Sequence, residues 1–136
     1  MKKLFALLVL FTLVATLSGC AAPLTQEELA SADYGKYPSD YENIIKSYMD
    51  IRLKDPDSAR YQFLNTPQTG WNRLGGKKFG YIVCVYINAK NSFGGYVGNR
   101  INYFMINNGN VIDALHGDGN YGDAIVQGAC KNFINK

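Results

Sequence analysis

Apolar residues are spaced along this chain in several distinct ways, and each spacing predicts a different element. From Leu4 to Leu17 they run without a charged interruption. Between Tyr41 and Arg52 they recur at helical spacing, through Ile44, Ile45, Tyr48 and Met49, with Ile51 and Leu53 widening the apolar face. Ser39 and Glu42 have the spacing of a capping box ahead of that helix, and Asp40 suits its positive end. Asp55-Pro56 stops it, because a residue before proline is pushed out of the α region, and Asp57-Ser58 reads as a turn.

Beyond the turn the period shortens. Tyr61 to Leu64 reads as a short strand, and Tyr81 to Asn88 as a central strand apolar on both faces. Arg100 to Ile106 and Asn110 to Leu115 read as an antiparallel pair joined at Asn107-Asn108-Gly109, since Asn and Gly tolerate the positive φ of a tight turn. Thr66 to Gly80 and Ala89 to Asn99 carry the glycines of long connections or irregular hairpins. His116 to Gly122 reads as a loop. Asp123 is placed as the N-cap of a last helix carrying Val126, Ala129, Cys130 and Phe133 on one face, weakened by Gly128. The order helix, three or four strands, helix predicts an α+β domain with an antiparallel sheet over residues 38–136.

The first apolar run changes how the rest is read. It follows the basic Met1-Lys2-Lys3, is short for a membrane span, and ends at Leu17-Ser18-Gly19-Cys20. That ending resembles the lipobox of bacterial lipoproteins. The resemblance implies a signal peptide over residues 1–19, cleavage before Cys20, and acyl chains on Cys20 that hold the protein to a membrane. Ala21 in place of Asp resembles the outer-membrane address of Gram-negative lipoproteins. The other reading is an ordinary secretory signal with an incidental cysteine. Residues 20–37, with few large apolar side chains, read as a flexible tether, and Thr25 with Glu28 as a capping box for one short turn.

Processing also alters charge and cysteine parity. Without Lys2 and Lys3 the mature chain keeps 12 basic against 11 acidic side chains, and near neutrality disfavours a nucleic-acid partner. If Cys20 carries lipid, Cys84 and Cys130 remain as a pair in an oxidising compartment, which points to a disulfide rather than two free thiols. Alternation puts Ile82, Cys84 and Tyr86 on one sheet face, so that bond requires the last helix to cross it.

Two stretches, Leu53-Lys54-Asp55-Pro56-Asp57-Ser58-Ala59-Arg60-Tyr61 and Val83-Cys84-Val85-Tyr86-Ile87-Asn88-Ala89-Lys90-Asn91-Ser92-Phe93-Gly94-Gly95-Tyr96-Val97-Gly98, resemble the paired motifs of a group of small bacterial envelope proteins. The resemblance implies one small α+β domain and no particular activity. Lys90, Asn91 and Tyr96 form a candidate ligand loop, a cation, an amide and an aromatic plate among glycines that let a ligand approach. The structural alternative is a β-connection whose Phe93 and Tyr96 pin it to the body.

Catalytic and metal chemistry find little support. His116 is the only histidine, a disulfide would remove Cys84 and Cys130 as nucleophiles, and Ser92 lacks a nucleophile elbow. Asp118, Asn120 and Asp123 offer oxygens, but a calcium loop begun at Asp118 would need glutamate at Ala129. No cofactor or metal is expected. Trp71-Asn72-Arg73 with Lys77-Lys78 makes a basic aromatic loop suited to anionic lipid or a polyanionic glycan, or else simply solvated. The expectation is a membrane-anchored envelope lipoprotein with a non-catalytic binding or accessory domain for an envelope protein or cell-wall glycan. The alternatives are a tethered inhibitor of a secreted hydrolase such as lysozyme, and a Cys- or Ser-dependent hydrolase.

Overall fold

A computed structural model describes residues 23–134 except 74 and 120, so the Leu17–Cys20 motif lies outside the described residues. The chain divides into two units, Met1–Ala32 and Asp33–Lys136. In the first, helix α1 spans Gln26–Ala30, and Thr25 and Glu28 form the expected capping box. No described helix is long and apolar enough to cross a membrane.

The second unit is α+β. Helix α2 (Tyr41–Asp50) precedes strands β1 (Asp55–Phe63), β2 (Gln68–Asn72), β3 (Lys78–Lys90), β4 (Arg100–Asn107) and β5 (Asn110–His116), and helix α3 (Tyr121–Ile134) ends it. All strand pairs are antiparallel. The sheet order is β1-β3-β4-β5, and β2 also pairs with β3. β1 lies along Val85–Lys90 and β2 along Lys78–Ile82 of the same strand, so one long strand carries two short ones end to end. Asn65 bridges the gap: its amide donates to Ile82 O and accepts from Cys84 N–H, continuing the ladder where no strand residue does.

Alternation explains why β3 and β4 read as apolar throughout. Val83, Val85, Ile87, Phe104 and Ile106 face α2, where Ile45 and Met49 are buried against them. Ile82, Cys84, Ile101, Tyr103 and Met105 face α3, with Val126 and Cys130. The sheet is thus the middle of three layers. Cys84 and Cys130 are joined by a disulfide with Cα atoms 6.0 Å apart, and α3 crosses the sheet face that carries Cys84.

Several boundaries differ from the sequence reading. The Thr66–Gly80 stretch contains β2, so the sheet has five strands. β1 starts at Asp55, because its register jumps from Asp55↔Lys90 to Arg60↔Asn88. Residues between are bulged out of the ladder, so Pro56 owes it no N–H. Helix α2 is preceded by Asp40, whose side chain binds Asn43 instead of capping the backbone. Asp123 lies in the first turn of α3 and faces Arg100, while Asp118 accepts the Gly122 N–H. The Asn108-Gly109 turn has positive φ at both residues, +47° and +77°, as expected of a two-residue hairpin.

The strap Asp33–Tyr37, read as tether, is fastened to the body. Asn107 donates to Asp33 O, Lys36 N–H donates to Asn108, and Tyr34 and Tyr37 pack edge-on against Phe79 and Tyr81. Gly35 is held at φ +74°, where an added Cβ would lie 2.6 Å from Asn107 Oδ1, so only glycine lets the strap approach this closely.

Candidate functional site

The sheet has two chemically different ends. β4 runs from Arg100 to Asn107, so about 24 Å of strand separates them. The strap and the Asn108-Gly109 turn occupy one end. The other gathers the Asp55–Arg60 bulge, the Lys90–Arg100 connection and the His116–Asp123 loop.

At this second end the two paired motifs form one clasp. Ser58 holds it together. Its hydroxyl accepts the Lys90 N–H at 2.9 Å and donates to Asp55 O at 2.7 Å, while its carbonyl accepts the Tyr96 hydroxyl at 3.2 Å. Two cations approach the Tyr96 ring, the Arg60 guanidinium at 4.4 Å and the Lys90 ammonium at 5.5 Å from its centroid. Lys90 and Tyr96 also pair as an isolated bridge, and Asn88 accepts the Gly98 N–H.

The turn beyond the clasp is closed by Asn91. Its side-chain oxygen accepts the N–H groups of Phe93 and Gly95 at 3.0 and 3.1 Å, and its backbone bonds both Gly94 and Gly95. Of the candidate ligand residues, Lys90 and Tyr96 therefore come together and engage the body, while Asn91 shapes the turn. What the turn offers outward is Phe93, 97% exposed and held there by an ordered backbone.

Beneath the clasp is a cavity of about 180 Å³, walled by Met49, Leu53, Ile87 and Val97 and bordered on its polar side by Asn102 and His116. Asn102 is 3% exposed, a polar residue inside the doubly covered β4. Its amide nitrogen donates to Arg100 O, which leaves its oxygen to accept from His116 Nδ1 at 2.8 Å. This fixes the proton of neutral His116 on Nδ1. The ring stacks on Tyr48 and meets Phe104 edge-on. Burial of that face, followed by the nearby Arg52 charge, lowers the His116 pKa below its ordinary value, although the opposite edge of the ring reaches solvent.

Arg100 pairs with Asp123 at 3.4 Å, and Asp118 is taken up by the start of α3. Among the described residues, no group of three or more His, Cys, Asp and Glu is placed to hold a metal. The sulfurs of Cys84 and Cys130 are spent on each other, so neither supplies a thiolate.

At the strap end a second polar group faces the α3 side. Asn72 donates to Asp113, Lys78 pairs with Asp113 at 3.3 Å, and Tyr103 lies alongside. Burial and then the Asp113 charge push the Tyr103 hydroxyl up to about 12, so it stays protonated at any physiological pH.

Sequence reasoning missed Ser58, Arg60, Asn65 and Asn102. Only Asn102 leaves a sequence signal, a lone amide within the apolar run Ile101–Ile106. The chain was compared with protein-family models, curated proteins and solved structures, and none of them matches it.

Proposed function

We propose that the protein is a membrane-anchored envelope lipoprotein of the outer membrane, held by acyl chains on Cys20, whose body is a non-catalytic recognition domain. The observation that carries the recognition reading is the clasp. It orders a turn, directs Phe93 into solvent, and does so at the end of the sheet opposite the strap through which the anchored segment enters. A side chain like Phe93 offers a large apolar contact at small entropic cost, the property of an interface anchor. The buried Cys84–Cys130 disulfide supports an extracytoplasmic location and leaves Cys20 as the remaining cysteine.

An envelope protein or cell-wall glycan is the partner class. A photoreactive residue at position 93 should crosslink reproducibly to one envelope component in living cells, whereas one at the exposed Gln127 should not. Crosslinking indistinguishable between the two positions would remove the recognition reading. Anchorage is tested separately: Cys20→Ala should abolish palmitate labelling and release a folded protein into the soluble fraction, and continued membrane retention would contradict it.

The protruding turn also suits a tethered inhibitor that places Phe93 in the cleft of a secreted hydrolase. The Cys20→Ala chain should then inhibit a lysozyme in a lysis assay and Phe93→Ser should not. Equal lysis with and without the protein, across lysozymes of different types, excludes this second reading.

A further inference from the structure

We propose that the strap end of the body carries a membrane contact of its own, a basic and aromatic surface around Trp71 and Arg73 that docks on anionic lipid headgroups. Three observations converge there. The first is position. Trp71 pairs in register with Phe79, and the ring of Tyr34 packs edge-on against Phe79 at 5.8 Å. The chain toward Cys20 thus leaves the body beside Trp71, and twelve residues lie between Cys20 and Asp33. Fully extended, the thirteen Cα-to-Cα steps reach at most about 45 Å, which bounds how far this end can lie from an anchored Cys20.

The second observation is composition. Residues 66–80 hold Arg73, Lys77 and Lys78 and no acid. Of the acids on facing segments, Asp113 pairs with Lys78, while Asp33 and Asp40 keep their charge and accept from the neutral Gly35 N–H and Asn43 amide, so Lys78 adds no net charge to the surface. Trp71 is 41% exposed and the Arg73 guanidinium lies 5.4 Å from its ring. Tryptophan beside arginine and lysine is the composition favoured at the headgroup level of a membrane.

The third observation decides between a lipid and a soluble anion. A cavity of about 260 Å³ is lined by Trp71, Arg73, Leu115 and Phe133 together with the polar Asn72 and Tyr103. Arg73 Nε is buried and has no acceptor. An arginine lining a cavity whose walls are mostly apolar matches a phosphate that carries its own apolar substituent. A small hydrated anion would leave those walls uncovered.

The inference rests on the lipid-anchor reading for its orientation. With the acyl chains supplying retention, the contact sets attitude: strap end on the bilayer, Phe93 turned away from it. Trp71 is the only tryptophan, so intrinsic emission reports the contact directly. The acylated full chain is reconstituted into phosphatidylcholine vesicles with and without phosphatidylglycerol. Only with phosphatidylglycerol should Trp71 emission shift to the blue and be quenched by lipids brominated near the headgroup, and salt should reverse both effects. Arg73→Gln with Lys77→Gln should weaken phosphatidylglycerol-dependent binding of the Cys20→Ala chain by about tenfold or more while leaving its circular dichroism unchanged.

Emission that is the same in both vesicles overturns the proposal. So does an equal response to inorganic phosphate alone, which would make this a soluble-anion site. A missing acyl mass on Cys20 sinks the anchor reading alone, because binding of the Cys20→Ala chain to the same vesicles still tests Trp71.

Discussion

The Cys84–Cys130 bond permits the sharpest stability prediction. It joins residues 46 apart, both sulfurs lie in the fully buried cluster beneath α3, and it ties that helix to the central strand. In the chain-entropy model a closed loop of this length is worth about 4 kcal/mol at 25 °C. A domain of this size has roughly 5–15 kcal/mol of total stability, so the bond accounts for a large share of it. Cys84→Ser, Cys130→Ser and the double variant should each lose about 4 kcal/mol in urea unfolding and melt about 15 °C lower. The double variant should match the singles to within about 1 kcal/mol, since either substitution already opens the loop. Reduction of the native protein should reproduce the same loss. Losses that add across the two sites would mean that each sulfur contributes separately, and the loop-closure reasoning would be wrong.

Other outcomes follow from particular contacts. Because the folded His116 pKa is lowered, the unfolded chain binds more protons below about pH 6.5. The His116 contribution is therefore full above that pH and is lost as pH falls through the folded value, so the urea midpoint of the native protein should drop on acidification more than that of His116→Gln; parallel pH profiles would refute this. Asn65→Ala removes both bonds to the β3 backbone and should cost about 1–3 kcal/mol in urea unfolding, more than an exposed amide would. Gly128→Ala, in an exposed turn of α3 where an added Cβ meets nothing within 4 Å, should raise the melting temperature by an amount equivalent to about 1 kcal/mol.

The fold was legible wherever burial followed a period. The helical face from Tyr41 to Met49, the doubly apolar β3, the Asn-Gly hairpin and the requirement that α3 cross the Cys84 face all follow from alternation and parity. β2 was not legible, because Gly70 and Asn72 are poor strand residues and the order of this stretch comes from pairing with β3. The strap was missed for a similar reason: its attachments run through Asn107, Asn108, Phe79 and Tyr81, all distant in sequence. At the candidate site the loop was visible from its composition, but the roles within it were not. The contacts of Lys90 and Tyr96 with Ser58 and Arg60 were hidden because those partners lie on a bulge that sequence periodicity reads as a turn, and Asn91 bonds within its own turn.

Those contacts bear on what the turn is for. Leaving Phe93 in water forgoes about 1.5–3 kcal/mol of burial, and holding a glycine-rich turn in one conformation costs backbone entropy. A connection needed only to join β3 to β4 would incur neither cost, since the two strands already pair directly from Ile87↔Arg100 onward. The clasp offsets these costs with bonds drawn from both stretches: Val83 to Gly98 supplies the turn and Leu53 to Tyr61 the bulge that fixes it. Those bonds engage the Lys90 backbone N–H, the Asn91 side-chain oxygen and the Tyr96 hydroxyl, and beside them Phe93 stands 97% exposed. On the proposed recognition reading, this geometry makes Phe93 and the exposed side chains around it the part of the loop available for contact.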